Sequence, residues 1–430
     1  MIEAPRRIYV RSFGCPTNLA DGEAIIDRLS EAGWEVVQKT EAADILIYNT
    51  CAVKTPTENR IMNLLKNLPA DKKLIVTGCL PLINLQRLRA EVKADGIVGP
   101  SPDIRIVEVV SKVASGQEVI TLEKGFTQSL NVSKRRKHKV IGIIPINYGC
   151  LGSCSYCCVV FARGCLRSYK IDEIVERTKS DLAGGVKEVW LTSQDTGCYG
   201  KDIGTNLATL LRQICRIDEE FFVRVGMMTP NHALESLDDL IQVYKDEKIF
   251  KFLHLPVQSG DNEVLNNMNR FYSADDFEYI VSCFREKIPD ITVATDIICG
   301  FPGESDEAFN ETLKLMEETR PDIVNVSKFF PRPHTAAEKM ELRVPLREVS
   351  ERSRKMAELS KRISLKKNER WIGWRGKILV DERGNVSDSW IGRNFAYKPI
   401  VVKSKVNLLG KFLDVRVVKT FATYLKAEIL

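Results

Sequence analysis

Three cysteines that directly follow one apolar run constrain the fold of this chain more than any other feature. Cys150, Cys154 and Cys157 have the spacing Cys-x3-Cys-x2-Cys and follow the run VIGIIPIN. A loop that leaves the end of a buried strand would bring their thiolates to one point. The chain has 430 residues and twelve cysteines, and at that length its domains need no disulfides to fold. The crowding therefore favours metal ligation over disulfide bonding.

Three thiolates suit a [4Fe–4S] cluster with one iron left for an exogenous ligand, because four cysteines are the common set. A closed zinc site would need a fourth protein ligand, and no histidine lies near this loop. An RNA-binding protein that is stabilised by a structural zinc ion stays open as an alternative. Cys158 is interpreted as a packed small hydrophobic residue, although it could substitute as a ligand. His232 and His254 lack metal-site spacing and are interpreted as hydrogen-bonded structural residues.

Alternation of short apolar runs with helical periods predicts an α/β chain of several parts. Residues 1–115 show the doubly wound pattern of a parallel sheet with helices on both faces. Residues 116–139 lose this alternation and end in the basic run KRRKHK, which indicates a linker. Residues 140–370 hold six strand–helix units, typical of a partial (β/α)6 barrel, and a charged helix at their end. Residues 371–430 alternate short strands with turns, which predicts a small all-β, OB-like barrel.

A second group of cysteines is spread over the first part of the chain. Cys15, Cys51 and Cys79 each lie at or just beyond the end of a predicted parallel strand. Open α/β sheets bind ligands along that edge, so the three side chains could converge on one cluster. Spacing alone leaves three buried structural cysteines equally open, but the repeated Gly or Thr before each cysteine favours a site.

Positive charge is concentrated in the tail. The formal net charge is +6, and residues 371–430 hold eleven Lys and Arg against five Asp and Glu. A nucleic-acid partner is expected, because Lys and Arg make phosphate contacts. Trp371, Trp374 and Trp390 could stack on loop RNA bases, although we expect at least one of them in the core of the small barrel. The candidate RNA contacts are Arg375, Lys377, Arg393, Lys398 and Lys403.

No membrane partner is expected. The sequence has no signal-peptide apolar region and no run of about 18 apolar residues. We predict a cytoplasmic protein, because the reducing cytosol keeps cysteines free for metal ligation.

The whole pattern resembles the methylthiotransferases of the radical S-adenosylmethionine superfamily over nearly its full length. FGCPTNLADGE, YNTCAVKTPTENR and TGCL match the first domain of that family, NYGCLGSCSYCCVVFARG matches its cluster loop, and the tail is similar to the RNA-binding TRAM module. The segments most similar to the archaeal and eukaryotic branch are SQDTGCYGKDIGT, RVGMMTPNH, LHLPVQSG, TDIICGFPGE and FFPRPHT. Two departures are visible: His334 stands where the family usually has Gly, and Cys165 and Cys198 lie where cysteine is not expected.

The resemblance implies a tRNA methylthiotransferase that converts N6-threonylcarbamoyladenosine beside the anticodon into its 2-methylthio derivative by radical chemistry. It implies S-adenosylmethionine and two [4Fe–4S] clusters as cofactors. The radical cluster would bind Cys150, Cys154 and Cys157, and the auxiliary cluster would bind Cys15, Cys51 and Cys79. An electron donor and a sulfur source would be further partners of unknown identity.

Polar residues at the other barrel strand ends are candidates for holding S-adenosylmethionine. Gln194 and Asp195 end the second strand and could bind its amino group. Gln258 and Asp296, at the fourth and fifth strands, could meet its ribose or carboxylate. Arg163 follows the cluster loop and could pair with the carboxylate. A helix cap or a surface ion pair stays open as the role of each.

Other functions stay open. Related enzymes act on isopentenyladenosine in tRNA or on an aspartate of a ribosomal protein, and the basic tail disfavours a basic protein substrate. An RNA-binding iron–sulfur protein without radical activity is an alternative of another class. Deletion of residues 371–430 is expected to weaken tRNA binding and to leave both clusters in place.

Overall fold

A computed structural model describes residues 7–100, 105–123, 130 and 138–430. Much of the predicted linker, including the first four residues of KRRKHK, lies outside the described residues. No described helix is both long and apolar enough to cross a bilayer.

Within the described residues, the first region is a parallel sheet of six strands with helices on both faces. Its strands are β1 (Arg7–Ser12), β2 (Glu35–Val36), β3 (Ile45–Thr50), β4 (Lys73–Gly78), β5 (Gly96–Val98) and β6 (Val119–Thr121). Its helices are α1 (Pro16–Glu31), α2 (Thr55–Lys66), α3 (Leu80–Ile83), α4 (Leu85–Glu91) and α5 (Arg105–Ala114). The strand order is β2-β1-β3-β4-β5-β6, which confirms the doubly wound prediction. The last strand differs from the predicted boundary, because β6 pairs with β5 and so extends the sheet into the segment interpreted as linker.

Alternate side chains of β3 build the two cores of this region. Ile45 and Ile47 pack with residues of α1 and α5, whereas Leu46 and Tyr48 pack with residues of α2 and α4. All of β3 is buried, as expected for a central parallel strand that is covered on both faces. The strand order reverses between β1 and β3, the place where such sheets bind ligands.

The second region is a partial barrel of six parallel strands, which confirms the predicted units. Across residues 138–370, these strands are β7 (Ile141–Pro145), β10 (Glu188–Thr192), β11 (Phe222–Val225), β12 (Phe252–His254), β13 (Thr292–Cys299) and β14 (Ile323–Lys328). A short antiparallel pair, β8 (Asn147–Tyr148) and β9 (Arg167–Ser168), brackets the cysteine loop. The helices are α6 (Val159–Arg163), α7 (Ile171–Ala183), α8 (Leu207–Cys215), α9 (Pro230–Glu235), α10 (Leu237–Tyr244), α11 (Asn262–Asn267), α12 (Ala274–Lys287), α13 (Asp306–Thr319) and α14 (Leu346–Glu369).

The tail, residues 371–430, is a closed barrel in the order β15-β16-β17-β19-β18, as predicted for a small OB-like domain. These strands are β15 (Arg375–Arg383), β16 (Ser389–Arg393), β17 (Pro399–Lys403), β18 (Phe412–Thr420) and β19 (Leu425–Ile429). The sequence did not predict β16, because Ser, Gly and Arg interrupt its apolar pattern. Trp371 and Trp390 lie in the core and Trp374 packs against it, so the expectation that at least one tryptophan is a core residue is confirmed.

The tail barrel closes the amino-terminal end of the larger barrel. The ring of Tyr397 lies 4.8 Å from that of Phe250 and 5.0 Å from that of Phe252, centroid to centroid. Lys398 forms a buried ion pair with Asp322, with Nζ and Oδ1 2.7 Å apart. We call Phe250, Phe252 and Asp322 the barrel floor. The floor is opposite the carboxyl strand ends, where functional groups of such barrels lie.

Candidate active site

One cavity of about 440 Å³ lies at the carboxyl ends of the barrel strands, between the barrel and the first region. It is lined by a loop trio, Cys150, Cys154 and Cys157, and by a sheet trio, Cys15, Cys51 and Cys79. Four of the five residues predicted to hold S-adenosylmethionine also line it: Arg163, Gln194, Gln258 and Asp296. The volume is in the ordinary range for a small-molecule site. The structure therefore brings two groups of cysteines that are distant in sequence into one space.

The loop trio is fixed to the barrel by hydrogen bonds. Gly149 N donates to Gln194 Oε1 at 2.8 Å and ties the loop to the end of β10. Gly152 N donates to Cys150 Sγ at 3.1 Å. Burial raises the pKa of Cys157 to about 12. A thiolate at this position would therefore need a bound metal or a nearby cation.

The sheet trio is assembled from three adjacent strands. Cys15, Cys51 and Cys79 follow β1, β3 and β4, which are neighbours in the sheet. Gly14 has a φ of +102°, and a Cβ there would lie 2.6 Å from Cys51 Cβ. Gly78 has a φ of +94°, and a Cβ there would lie 2.3 Å from a backbone oxygen of β3. The glycines noted in the sequence are therefore required for the cysteines to converge.

Arg163 lies beside the sheet trio and already has a carboxylate partner. Its Nη2 is 2.6 Å from Asp21 Oδ2, and both side chains are buried. It also donates a hydrogen bond to Asn18. Burial raises the pKa of Cys79 to about 12, although the Arg163 cation opposes that rise. Arg163 lines the cavity as predicted, but α1 of the first region already supplies one carboxylate partner. A contact with the carboxylate of S-adenosylmethionine stays a prediction.

Asp195 is not among the described lining residues of the cavity. Its carboxylate accepts hydrogen bonds from Thr229 Oγ1 at 2.6 Å, His232 Nδ1 at 2.9 Å and Gly197 N at 2.9 Å. Burial would raise the pKa of Asp195, but the hydrogen bonds from His232 and Thr229 hold it below its ordinary value. The structure therefore corrects the prediction of a direct contact with S-adenosylmethionine, because these bonds occupy the carboxylate. His232 is hydrogen-bonded, as predicted.

Gln258 and Asp296 share one wall of the cavity. Gln258 has a φ of +73°, a strained backbone conformation for a residue other than glycine. Asp296 Oδ1 accepts hydrogen bonds from Asn325 Nδ2 at 2.7 Å and from His254 Nε2 at 3.2 Å. Burial would raise the pKa of Asp296, but the contact with His254 keeps it below its usual value. Asp296 is therefore an anionic acceptor, and His254 is hydrogen-bonded as predicted.

Two arginines that line the cavity were not predicted. Arg224 lies on β11, with its guanidinium 5.0 Å from the ring centroid of Trp190. Arg270 lies just after α11, and its Nη1 donates to Cys154 Sγ at 3.0 Å. The sequence analysis considered polar residues at the carboxyl ends of the barrel strands. It missed these two arginines because Arg224 is inside a strand and Arg270 follows a helix.

The other cysteines near the trios have structural surroundings. Cys158 packs in the core of the first region, as predicted. Cys198 is buried against Cys150, and its Sγ is 3.1 Å from the carbonyl oxygen of Asp195.

His334 has a φ of +68°, a conformation that favours the Gly usual in the family.

The predicted RNA contacts of the tail divide into two groups. Arg393 is largely buried and pairs with Asp381 at 3.0 Å, while Lys398 pairs with Asp322 of the barrel floor. The prediction of phosphate contact is wrong for these two residues, because the tail docks with this edge against the barrel. The remaining three, Arg375, Lys377 and Lys403, are exposed.

An exposed basic face covers three adjacent strands of the tail barrel. Arg375 on β15 lies opposite Arg416 on β18, and Lys419 on β18 lies opposite Lys426 on β19. All four side chains are exposed. Glu428 on β19 also lies opposite Arg416, but the like charges that lie directly opposite each other in the two pairs destabilise the sheet. A bound polyanion would relieve this repulsion.

Three family models match the chain. The model described as "Uncharacterized protein family UPF0004" matches residues 7–99, the Radical SAM superfamily matches residues 144–316, and the TRAM domain matches residues 372–430. The three matches follow the three regions of the fold.

Curated relatives align with the chain almost from end to end. The probable threonylcarbamoyladenosine tRNA methylthiotransferase of Pyrococcus horikoshii is 43% identical, and the alignment covers 99% of each chain. The threonylcarbamoyladenosine tRNA methylthiotransferase of Homo sapiens is 37% identical over 98% of this chain and 74% of the relative. Among solved structures, the radical S-adenosylmethionine methyltransferase TsrM from Kitasatospora setae, with cobalamin and a [4Fe-4S] cluster bound, has a TM-score of 0.59 at 15% identity and covers 77% of each chain. That likeness concerns the fold alone.

Proposed function

This chain belongs to the threonylcarbamoyladenosine tRNA methylthiotransferase family, and we propose that it converts N6-threonylcarbamoyladenosine beside the tRNA anticodon into the 2-methylthio derivative. Membership of the radical S-adenosylmethionine superfamily implies one [4Fe–4S] cluster and S-adenosylmethionine as cofactors. The observation that carries the proposal is the single cavity lined by both cysteine trios. A methylthio donor and a radical source would then face the same substrate atom.

The residues present fit these cofactors. Two further cysteines adjoin the loop trio, but neither is among the described residues that line the cavity: Cys158 packs in the core of the first region, and Cys198 is buried against Cys150. His254 is bound to Asp296. One iron of a cluster on the loop trio would stay open for S-adenosylmethionine, and we place a second cluster on the sheet trio. When bound, these cofactors supply the one-electron chemistry that replaces an unactivated aromatic C–H bond.

The protein's own part is to bind, orient and exclude water. The Asp296 carboxylate and the Gln194 and Gln258 amides are placed to hold the polar groups of S-adenosylmethionine. Apolar side chains form much of the remaining wall and limit the entry of water: Val53, Tyr156, Val159, Val160, Met227 and Pro256.

The basic face is the proposed contact for tRNA phosphates. The rings of Phe421 and Tyr424 stack nearby at 4.4 Å, and Lys419 Nζ lies 5.2 Å from the centroid of the Phe421 ring. An aromatic pair beside basic residues suits loop RNA, whose bases are unstacked.

Two further partners follow from the balance of atoms and electrons. S-adenosylmethionine can supply the methyl group, but the sulfur atom needs a separate source, and the reducing electron needs a donor.

All twelve cysteines are free thiols. We therefore also propose a cytoplasmic location, because that compartment keeps thiols reduced.

The proposed function is tested with anaerobically reconstituted protein, dithionite, S-adenosylmethionine and tRNA that carries N6-threonylcarbamoyladenosine. We expect 5′-deoxyadenosine and, by mass spectrometry of tRNA nucleosides, the 2-methylthio product. Cys157→Ala should form neither, whereas Cys158→Ala, the adjacent cysteine outside the cavity, should form both. A wild-type protein that binds iron but forms no 5′-deoxyadenosine would leave only an RNA-binding iron–sulfur protein. A product on isopentenyladenosine or a ribosomal protein alone would refute the proposed substrate.

The basic face needs point substitutions, because deletion of residues 371–430 would also uncover Phe250 and Phe252 of the barrel floor. The double variant Arg375→Ala with Arg416→Ala should weaken tRNA binding about tenfold and lower the salt dependence by about one counterion per lost contact. Arg347→Ala, an exposed arginine of α14, is the matched control. Equal affinities for tRNA in both variants would contradict the proposed face.

A further inference from the structure

We propose that Arg270 is a positioning residue that supplies the countercharge for the loop trio and raises the reduction potential of the cluster bound there. The inference rests on the proposed function, because it takes the loop trio to hold a [4Fe–4S] cluster.

Arg270 is held in place by hydrogen bonds from all three guanidinium nitrogens. Nε donates to Tyr272 Oη at 2.7 Å, Nη2 to the Pro256 carbonyl oxygen at 3.3 Å, and Nη1 to Cys154 Sγ at 3.0 Å. Its guanidinium also lies 4.9 Å from the centroid of the Tyr272 ring. These contacts leave the cation directed at one cysteine of the loop trio.

Arg270 lacks the carboxylate partner that buried arginines of this protein usually have. Arg224 of the same cavity forms no ion pair with a carboxylate of the described residues either, but its guanidinium lies over aromatic rings instead of a cysteine. Throughout the residues that the structure describes, no Asp or Glu forms an ion pair with Arg270. Four buried arginines each have such a partner: Arg163 with Asp21, Arg177 with Asp181, Arg332 with Glu58 and Arg352 with Glu304. Enclosing a cation without an anion is costly. A cluster ligated by thiolates is anionic and would supply the missing partner.

A cation at a cluster sulfur changes the energy of reduction. The reduced cluster carries one more negative charge than the oxidised cluster, so a nearby guanidinium favours the reduced state. Hydrogen bonds to the sulfur atoms act in the same direction and are a known means by which proteins set cluster potentials. Removal of the Arg270 side chain should therefore make the cluster harder to reduce.

The carboxylate of S-adenosylmethionine is the competing anion. The 3.0 Å contact with Cys154 Sγ favours the cluster, because it joins the guanidinium directly to a sulfur atom that would ligate the cluster. A role toward the carboxylate would instead appear only when S-adenosylmethionine is present.

The test is a redox titration followed by EPR, without S-adenosylmethionine, in a Cys79→Ala background that leaves the loop-trio cluster as the source of signal. At a fixed potential, Arg270→Gln should lower the ratio of reduced to oxidised cluster about tenfold, which is about 59 mV for a one-electron couple. Arg270→Lys keeps the charge and should recover part of this ratio. Tyr272→Phe removes one hydrogen bond from the guanidinium and should give a smaller loss than Arg270→Gln.

Failure of this inference is distinguishable from failure of the proposed function. If the Cys79→Ala protein assembles no cluster on the loop trio, the proposed function fails. If the cluster assembles and Arg270→Gln leaves the reduced fraction unchanged, the inference is overturned. A shift seen only after S-adenosylmethionine is added also overturns it. If Arg270→Gln assembles no cluster, the Tyr272→Phe variant tests the inference. A reduced fraction of cluster below that of the wild type supports the countercharge role of Arg270. An unchanged reduced fraction overturns the inference.

Discussion

The loop trio and the sheet trio each present three thiols to one cavity, but they are built in different ways. The loop trio comes from one short segment, whose Cys-x3-Cys-x2-Cys spacing already places the side chains together. The sheet trio exists only when β1, β3 and β4 are paired and two glycines let their loops approach. One site is therefore a local property of the sequence, and the other is a property of the folded sheet.

The two trios also differ in how their neighbouring arginine is neutralised. Arg163 beside the sheet trio has Asp21, so the protein supplies both charges. Arg270 beside the loop trio has a thiol as its partner among the described residues. The cation beside the sheet trio is thus neutralised by a carboxylate of the protein, whereas the cation beside the loop trio would be neutralised by a bound anionic group.

The largest expected effect separates the chemical roles of the trios. Cys157→Ala should lower the yield of 5′-deoxyadenosine roughly a hundredfold or more, since even residues one shell away from a metal contribute about 10–100-fold. Cys79→Ala should keep that yield and lose the methylthio nucleoside. Chromatography of 5′-deoxyadenosine and mass spectrometry of tRNA nucleosides measure the two products. Loss of both products in both variants would contradict separate roles.

The next effect tests whether the sheet trio depends on backbone approach. Gly14→Ala should lower bound iron by about half, because the added Cβ would lie 2.6 Å from Cys51 Cβ at a φ of +102°. Gly33→Ala is a matched control, since Gly33 has a φ of +89° but no atom within 4 Å of an added Cβ. The Gly33→Ala control should therefore show only the backbone strain of the positive φ, about 1–2 kcal/mol, without a steric clash. Full iron content in Gly14→Ala would show that the sheet trio tolerates a wider separation.

The last effect concerns stability rather than iron. Asp21→Asn should lower the free energy of unfolding by about 3–5 kcal/mol, because it removes the carboxylate charge that pairs with Arg163 at a site where both side chains are at most 2% exposed. Glu235→Gln, which removes the exposed partner of Lys201, should cost less than about 1 kcal/mol. Urea denaturation of the metal-free proteins compares them. Similar midpoints would mean that Asp21 does not balance Arg163.

Much of the fold and of the candidate site could be predicted, because many of their elements lie within short segments of the sequence. Six barrel strands, the cysteine loop and the Gly-Cys steps each depend on neighbouring residues, so their spacing was informative. Cys158 was interpreted correctly because a small apolar neighbour of a cluster loop is usually packed.

The errors arose where one region contacts another. Arg393 and Lys398 have the composition of RNA contacts, but burial against the barrel floor depends on how the tail docks, which no local pattern records. Asp195 stands at a strand end, yet Thr229 and His232 from the next unit turn its carboxylate inward. Arg270 was missed because it reaches the cavity from a turn after α11.

The docking of Tyr397 onto the barrel floor has a consequence for how such proteins are assembled from modules. A foreign RNA-binding domain grafted at residue 371 would leave Phe250 and Phe252 facing solvent and Asp322 without Lys398. Recombination between relatives would therefore have to exchange the segment 393–398 together with the surface that receives it. The tail and the catalytic barrel are thereby constrained to be inherited as one unit.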